Sequence, residues 1–209
     1  VALAFSRYGG FFQADVASLE AYFVFFPWLF LFLVPAVGMR LWSEEKRSGT
    51  VELLFTLPVT TLEAVLGKFL AGWAFLALAI LLSLPMALTV AYLGDPDWGV
   101  IACTYLGSIL MAGGYLGVCA LTSALTKNQV ISFVLSLGAC AVLVFLGMSG
   151  FTTSLENLLP VWTADIVANF SFMTHFDAFT KGVIDPKDVM FFLSLMGFTL
   201  FLNVVVLER

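Results

Sequence analysis

Five long runs without a charged residue constrain this chain more than any other feature of its sequence. Each run is 19 to 29 residues long, and together they cover 21–39, 69–94, 98–126, 128–155 and 189–207. About 20 apolar residues in a helix, each rising about 1.5 Å, cross the roughly 30 Å hydrocarbon core of a bilayer. The runs are rich in Leu, Ala, Phe and Val and lack the alternation of strands, so they predict membrane-spanning helices.

The composition excludes the water-soluble classes of protein. Of the 209 residues, 61% are hydrophobic and 11% are charged, whereas an ordinary soluble domain has about 45–50% apolar and about 25% charged residues. So few charges cannot cover a surface that faces water. The net charge of −5 also argues against a nucleic-acid partner, which requires a basic surface. We therefore expect an integral protein of the lipid bilayer.

Helix-start signals set the boundaries of the predicted spans. A hydroxyl residue followed three positions later by Glu or Gln forms a capping box at 60–63 and at 126–129. The Asp-Pro pairs at 95–96 and 185–186 place a capping carboxylate before a proline at the first helical position. The predicted spans are 21–42, 61–93, 97–125, 128–150 and 187–207.

The first residues, 1–5, are apolar, contain no Met and lack the basic region of a signal peptide. We interpret them as the tail of a sixth span, so that the native protein has six spans and this chain has five complete ones. Because no internal repeat or linker is visible, residues 1–209 are predicted to form a single transmembrane domain. The predicted fold class is all-α, a polytopic membrane helix bundle.

The basic residues predict which polar segments face the cytoplasm. With five spans, one side of the membrane has six of the nine Lys and Arg residues, and the other side has three together with nine acidic residues. An excess of Lys and Arg marks the cytoplasmic side. We therefore place the segment 40–68, the turn at Lys127 and the C-terminus on the cytoplasmic side of a multi-pass membrane protein.

The segment 43–60 is too polar to span the membrane and too apolar to be a solvated loop. Val51, Leu54 and Phe55 recur at helical spacing, Glu52 lies on another side, and Pro58 ends the pattern, so a short amphipathic helix is predicted. Such a helix either lies on the membrane surface or inserts into a groove of a cytoplasmic partner. The pattern alone leaves both interpretations open, and the charges before it could form a solvated cluster.

Three stretches of the sequence resemble the permease subunit of type-2 ABC transporters. The first stretch runs from 45 to 69 and contains Gly-Thr-Val-Glu-Leu-Leu at 49–54, a proline at 58 and Gly-Lys-Phe at 67–69. The second stretch, 121–129, is similar to the end of the family's fourth span and its tight cytoplasmic turn. The third, 175–185, resembles the outer segment of the gliding-motility-type subgroup. Together the resemblance covers nearly the whole chain.

This resemblance implies a role for particular residues. The segment 43–60 would be the coupling helix that docks on the ATPase, through Glu44, Glu45, Arg47, Gly49, Thr50, Glu52, Leu53, Leu54, Phe55 and Pro58. The tight cytoplasmic turn would consist of Thr126, Lys127, Asn128 and Gln129. We predict outer-face contacts for His175, Asp177 and Lys181.

The resemblance also implies a location in the bacterial inner membrane, and it implies the partners. Two copies of an ABC ATPase subunit would hold ATP and Mg, while this chain, which has no GxxxxGK[ST] motif, would bind no cofactor and would not be an enzyme. A second permease subunit, identical or related, would complete a dimer, and an outer-face auxiliary protein is a further candidate partner. We predict no catalytic residue and no metal site, and the three cysteines are expected to pack as small apolar side chains.

The outer loop, 151–186, is too long to be featureless. Apolar residues at helical spacing predict one short helix over 166–173, and Phe176 and Phe179 predict a second that Gly182 can end. Breaks are expected at Pro160 and at 174–175. These helices either seal the outer mouth of the bundle or present a docking surface, with His175, Asp177 and Lys181 on its exposed edge.

The predicted function is ATP-driven translocation of an unidentified substrate. An alternative is a mechanotransmission subunit that signals to an outer-face partner without moving a solute. A proton-coupled carrier is less favoured, because no ionisable residue lies deep in the five runs. An intramembrane protease, suggested by Gly-Met-Ser-Gly at 147–150, is disfavoured because the single histidine lies in the outer loop rather than on a later span.

Overall fold

The computed structural model describes residues 19–51, 58–94, 96–148, 151 and 169–208. These residues are almost entirely helical, and the described part of the chain contains no strand. In chain order the helices are α1 (Glu20–Phe23), α2 (Phe26–Gly38), α3 (Arg40–Ser48), α4 (Thr61–Leu81), α5 (Leu84–Leu93), α6 (Trp98–Leu125), α7 (Gln129–Phe145), α8 (Phe172–Thr180) and α9 (Pro186–Leu207).

Four helical stretches are long and apolar enough to cross a membrane: Phe26–Ser48, Thr61–Tyr92, Trp98–Leu125 and Pro186–Leu207. They confirm the predicted polytopic helix bundle. The predicted span over 128–150 is too long, because α7 has 17 residues and ends at Phe145. The first span also differs from its prediction over 21–42, because α3 continues the helical course of α2 as far as Ser48.

The span over 61–93 is interrupted where α4 ends and α5 begins. Pro85 is the second residue of α5 and has no N–H group to donate to the preceding turn. The hydroxyl of Ser83 donates to the carbonyl of Ile80 at 2.7 Å, and the same carbonyl accepts the backbone N–H of Ser83 at 3.0 Å. Proline breaks of this kind are tolerated inside membrane spans.

The predicted helix starts are partly right. The capping box at Thr60 and Glu63 is present in both directions, and Asp185 caps α9 with Pro186 as the first helical residue. The second predicted capping box is wrong, because Asn128 rather than a threonine caps α7. Asp97 caps α6, so the proline at 96 precedes the cap instead of starting the helix.

The central element is α6. In its most apolar stretch, 83% of the residues are buried inside the molecule, compared with 22% for Thr61–Tyr92 and 28% for α9. Small residues let the neighbouring helices approach it closely: a Cβ atom at Gly107 would lie 2.5 Å from Cγ of Phe179 in α8, and one at Gly117 would lie 2.4 Å from Oγ1 of Thr199 in α9. Every helix that carries a predicted functional residue therefore packs around one buried helix.

Candidate functional site

The predicted coupling segment begins as a rigid helix. Its first residues, Ser43 to Ser48, belong to α3, which follows α2 after a single turn residue, Met39. The helix ends at Gly49, whose φ of +73° lies in the left-handed region that favours glycine. Gly49 therefore permits the chain to leave α3 sharply. Ser48 and Thr50 share a hydrogen bond of 2.9 Å across this turn.

One hydroxyl group connects the start of α3 to α6. Ser123 of α6 is fully buried, and its Oγ atom accepts hydrogen bonds from the backbone N–H groups of Trp42 and Ser43, each at 3.0 Å. The same hydroxyl donates to the carbonyl of Met39 at 2.9 Å. A serine hydroxyl has one donor and two acceptor sites, so these three bonds use its whole capacity. The junction of α2 and α3 is thereby fixed to the central helix.

Two lysines add further contacts to α3, one with α6 and one with α4. The ammonium group of Lys46 donates to the carbonyl of Ala124, in the last turn of α6, where carbonyls lack a partner within the helix. The ammonium group of Lys68, in α4, forms an ion pair with Glu45 and donates to the carbonyl of Leu41 at 2.9 Å. It also lies 3.9 Å from the ring centroid of Trp42, a cation–π contact.

We call this set of contacts the inner-end cluster, because it lies at the end of the bundle that the basic residues predict to be cytoplasmic. It consists of Leu41, Trp42, Ser43, Glu45, Lys46, Lys68, Ser123 and Ala124. The cluster brings three separate helices together at the base of the segment 49–60. It contains no chemistry for bond breaking, and its arrangement of bonds from side chains to backbone serves to fix helix positions.

The structure separates the predicted coupling residues into three groups. Most of those it describes are exposed and free to meet a partner: Glu44, Arg47, Gly49, Thr50 and Pro58. Glu45 instead pairs with Lys68 inside the molecule, so its carboxylate is engaged within the chain. The predictions for Glu52, Leu53, Leu54 and Phe55, and for the amphipathic helix they form, lie outside the described residues and stay predictions.

The predicted cytoplasmic turn joins α6 to α7 directly. Thr126 follows the last residue of α6, and its hydroxyl donates to the carbonyl of Asn128 at 3.2 Å. The Asn128 side chain accepts from the N–H of Val130 at 2.9 Å. Lys127 is exposed and Gln129 is half-buried. The turn is thus as tight as the resemblance implied. It places Lys127 close to the end of α6, the helix that contributes Ser123 and Ala124 to the inner-end cluster.

Toward the opposite end of the bundle, α8 packs through aromatic side chains against α6, from Thr104 in its outer part to Tyr115 near its middle. The ring of Phe172 stacks on that of Tyr115 with 4.4 Å between centroids, and both side chains are fully buried. The hydroxyl of Thr104 donates to the carbonyl of Phe179 at 3.0 Å. The second predicted outer helix is therefore confirmed, and Gly182, with a φ of +76°, follows its end.

Two expectations about the outer loop are wrong. Ser171 caps α8 in an extended conformation, and its side chain accepts from the N–H of Met173, so no single helix runs from 166 to 173. The expected break at 174–175 lies inside α8. The part of the loop from 152 to 168, with the break expected at Pro160, lies outside the described residues.

His175 does not lie on an exposed edge. It is 3% exposed, its ring stacks on Phe191 with 3.9 Å between centroids, and its Nδ1 atom lies 2.6 Å from Oδ1 of Asp188. Its Nε2 atom lies 2.7 Å from the carbonyl oxygen of Asn169. Because a carbonyl only accepts hydrogen bonds, Nε2 must carry a hydrogen, and a single proton is shared between Nδ1 and Asp188. The pair is therefore neutral as a whole, which allows both groups to be buried.

The other two outer-face candidates are exposed, and their contact with a partner stays a prediction. Asp177 and Lys181 lie one turn apart on α8, form an ion pair, and have side chains 60% and 65% exposed. This pair is the charged part of α8 that a partner at the outer end could reach. Among the described residues, no group of three His, Cys, Asp or Glu side chains is arranged to hold a metal ion.

Sequence reasoning missed the residues that connect the helices. Ser123 and Lys68 were recognised only as parts of the resembling stretches 121–129 and 45–69, and Asp188 only as one of nine acidic residues on one side of the membrane. The signal that could have identified them is a polar residue placed within two turns of a predicted span end, where it can reach polar groups of a neighbouring helix.

The comparison with family models matches the chain to the ABC-2 family transporter proteins over residues 5–206. The comparison with curated proteins finds no match. The matched range includes both the inner-end cluster and α8. The chain therefore belongs to the ABC-2 transporter family, as a multi-pass membrane permease that works together with an ABC ATPase.

Proposed function

We propose that this chain is the permease subunit that couples ATP hydrolysis in a partner ATPase to translocation of a substrate. The single observation that carries the proposal is the inner-end cluster. The helix that leads into the predicted coupling segment, α3, is bonded to α6 through Ser123 and Lys46 and to α4 through Lys68. A movement of the segment 49–60 would therefore be passed to the buried centre of the bundle.

The assembly in this proposal has two ATPase subunits, which bind ATP and Mg, and a second permease subunit, identical or related. The chain lies in the bacterial inner membrane with the inner-end cluster and the C-terminus on the cytoplasmic side. Closure of the ATPases would push on the coupling segment and change the packing of the spans, so that two distant sites share two global states. Membership of the gliding-motility-type subgroup belongs to the same proposal.

A mechanotransmission subunit is the second candidate function. One observation favours it: α6 carries the inner-end cluster at one end, and the part of α8 with the exposed Asp177–Lys181 pair is bonded to its outer part through Thr104. A single buried helix could therefore transmit force between a cytoplasmic ATPase and an outer-face auxiliary protein. Reconstitution in vesicles separates the two functions, because a transmission subunit would support ATP hydrolysis without moving a solute.

The docking step is tested by Leu54→Asp in the complex purified with its ATPase. A charge buried without a partner in an apolar groove costs several kcal/mol, so we expect stimulation of ATP hydrolysis to be lost while the spans remain inserted. Leu54→Met is the matched control, because it preserves volume and apolar character. A Leu54→Asp complex with full activity would show that the segment only lies on lipid.

The orientation is tested by single cysteines labelled in intact cells with a reagent that does not cross the membrane. We expect cysteines at Asp97 and Lys187 to react, and cysteines at Arg47 and Lys127 to react only after permeabilisation. All four positions are exposed in the structure, so a lack of reaction reports the side of the membrane rather than burial. Labelling at Arg47 from outside would reverse the proposed orientation.

A further inference from the structure

We propose that the Glu45–Lys68 ion pair clamps α3 to the start of α4, so that both helices move as one body when the segment between them is displaced. Lys68 is the positioning residue of this clamp. The inference rests on the proposed function, in which the segment 49–60 binds the ATPase. It assigns Glu45 to the transmission of movement inside the permease rather than to contact with the partner.

The ammonium group of Lys68 has three partners on α3. It donates to the carbonyl of Leu41 at 2.9 Å, pairs with the carboxylate of Glu45, and lies 3.9 Å from the ring centroid of Trp42. Leu41 and Glu45 are one helical turn apart, so the ammonium group bridges successive turns. Trp42 is 1% exposed, and its ring therefore gives the lysine a fixed surface. Three convergent contacts define one position for Lys68.

The clamp residues flank the coupling segment in the sequence. The chain leaves α3 at Gly49 and enters α4 at the capping box of Thr60 and Glu63. Glu45 lies one helical turn before Gly49 and Lys68 lies two turns after Thr60, so the two helices from which the segment emerges are bonded to each other. A push on the segment cannot be absorbed by a change of angle between these helices unless the ion pair breaks.

The ion pair is suited to positioning more than to stabilising the fold. The side chains of Lys68 and Glu45 are 23% and 33% exposed, and partly exposed pairs contribute little to the free energy of unfolding. The same pair can nevertheless fix an angle between two helices that are already folded. Loss of the pair should therefore affect transmission before it affects assembly, and this difference makes the inference testable.

The direct test measures the distance between spin labels on the two helices in the complex with its ATPase. Glu44→Cys and Leu62→Cys place labels on exposed positions of α3 and α4. Cys103, which is half-buried, is replaced by Ala, whereas Cys119 and Cys140 are buried and stay. We expect the same distance without nucleotide and after trapping with ATP and vanadate, because the helices move together.

Variants of Lys68 and Glu45 are expected to change the distance distribution and the stimulation of ATP hydrolysis to different extents. In Lys68→Met the distance distribution should broaden and shift on trapping, and stimulation of ATP hydrolysis should fall about fivefold or more, as expected when a coupling between sites is lost. Lys68→Arg keeps the charge and should resemble the wild type, and Glu45→Gln should lie between the two. Arg40→Gln is the matched control, because it removes an exposed positive charge from α3 without touching the clamp.

Two results would overturn the clamp: a distance that changes on trapping in the wild type, or a Lys68→Met distribution identical to the wild type. If no ATPase co-purifies, the proposed function fails, but the nucleotide-free distributions of Lys68→Met and Lys68→Arg still test the clamp by their widths. If Lys68→Met does not assemble, Glu45→Gln replaces it, since it removes the ion pair and leaves the contacts of Lys68 with Leu41 and Trp42.

Discussion

The inner and outer ends of the bundle are both built on α6, but different interactions connect their neighbouring helices to it. At the inner end, hydrogen bonds and ion pairs from Ser123, Lys46 and Lys68 reach backbone groups of other helices. From the outer end to the middle of α6, buried aromatic rings pack on it instead: Phe179 lies at Gly107 and Phe172 at Tyr115.

The difference concerns how far each end can adjust. The Glu45–Lys68 clamp holds α3 to α4, but the contact of these two helices with α6 through Lys46 is only partly buried and can re-form after a displacement, whereas interdigitated buried rings tolerate little displacement. The buried His175–Asp188 pair adds a second constraint at the outer end, because neither member can lose its partner inside the protein at low cost. We therefore expect the inner end to be the adjustable end and the outer end to be the rigid one.

The largest expected effect on stability comes from His175→Ala at the outer end. The change leaves Asp188, which is 7% exposed, without a partner, and such a loss costs about 3–5 kcal/mol. Unfolding in detergent, followed by tryptophan fluorescence, measures it. Asp177→Asn is the matched control, since that exposed pair is worth only about 0.3–0.5 kcal/mol. Equal stability of the two variants would contradict the assignment of the outer end as rigid.

A smaller effect is expected for Gly107→Ala, which tests the packing of α8 on α6. The added Cβ atom would lie 2.5 Å from Cγ of Phe179, and such overpacking costs about 1–3 kcal/mol. Gly138→Ala on α7 is the control, because nothing lies within 4 Å of its added Cβ atom, and alanine is favoured there by about 0.5–1 kcal/mol. The two variants should therefore shift the unfolding midpoint in opposite directions.

At the inner end, Ser123→Ala removes the hydroxyl that connects α3 to α6. The N–H groups of Trp42 and Ser43 lose a buried acceptor, and an unsatisfied buried group costs about 1–3 kcal/mol. Because the lysine contacts of α3 remain, we expect the lower part of that range. Ser194→Ala serves as control, since its exposed hydroxyl bonds only within α9 and surface changes stay within about 0.5 kcal/mol. If both variants unfold alike, Ser123 does not secure the inner end.

The smallest effect is expected for Thr60→Ala, which removes the capping box at the start of α4. The side chain of Thr60 accepts from the N–H of Glu63, and the Glu63 carboxylate accepts from the N–H of Thr60 at 2.9 Å. Losing such a cap costs about 1 kcal/mol. Hydrogen exchange should show faster exchange in the first turn of α4 alone. Glu63→Gln, which can still form a capping box, should leave exchange unchanged.

Much of the fold could be predicted from the sequence, because membrane spans are defined by local composition. The cap at Asp185 and the capping box at Thr60 were also readable, since each involves residues within four positions of one another. The cap of α7 was misassigned because Thr126 and Asn128 both carry a suitable side chain, and only the path of the chain after α6 selects between them.

The sequence by itself determined that this chain is a helical membrane permease, where its apolar helices lie and where its polar segments fall. Only the tertiary structure decided which helix is central, that Glu45 pairs with Lys68, and that His175 is buried against Asp188. The physical reason is the range of the interactions. Hydrophobic length and helix capping act over a few consecutive residues, whereas burial and pairing depend on residues brought together from separate helices, which no local pattern encodes.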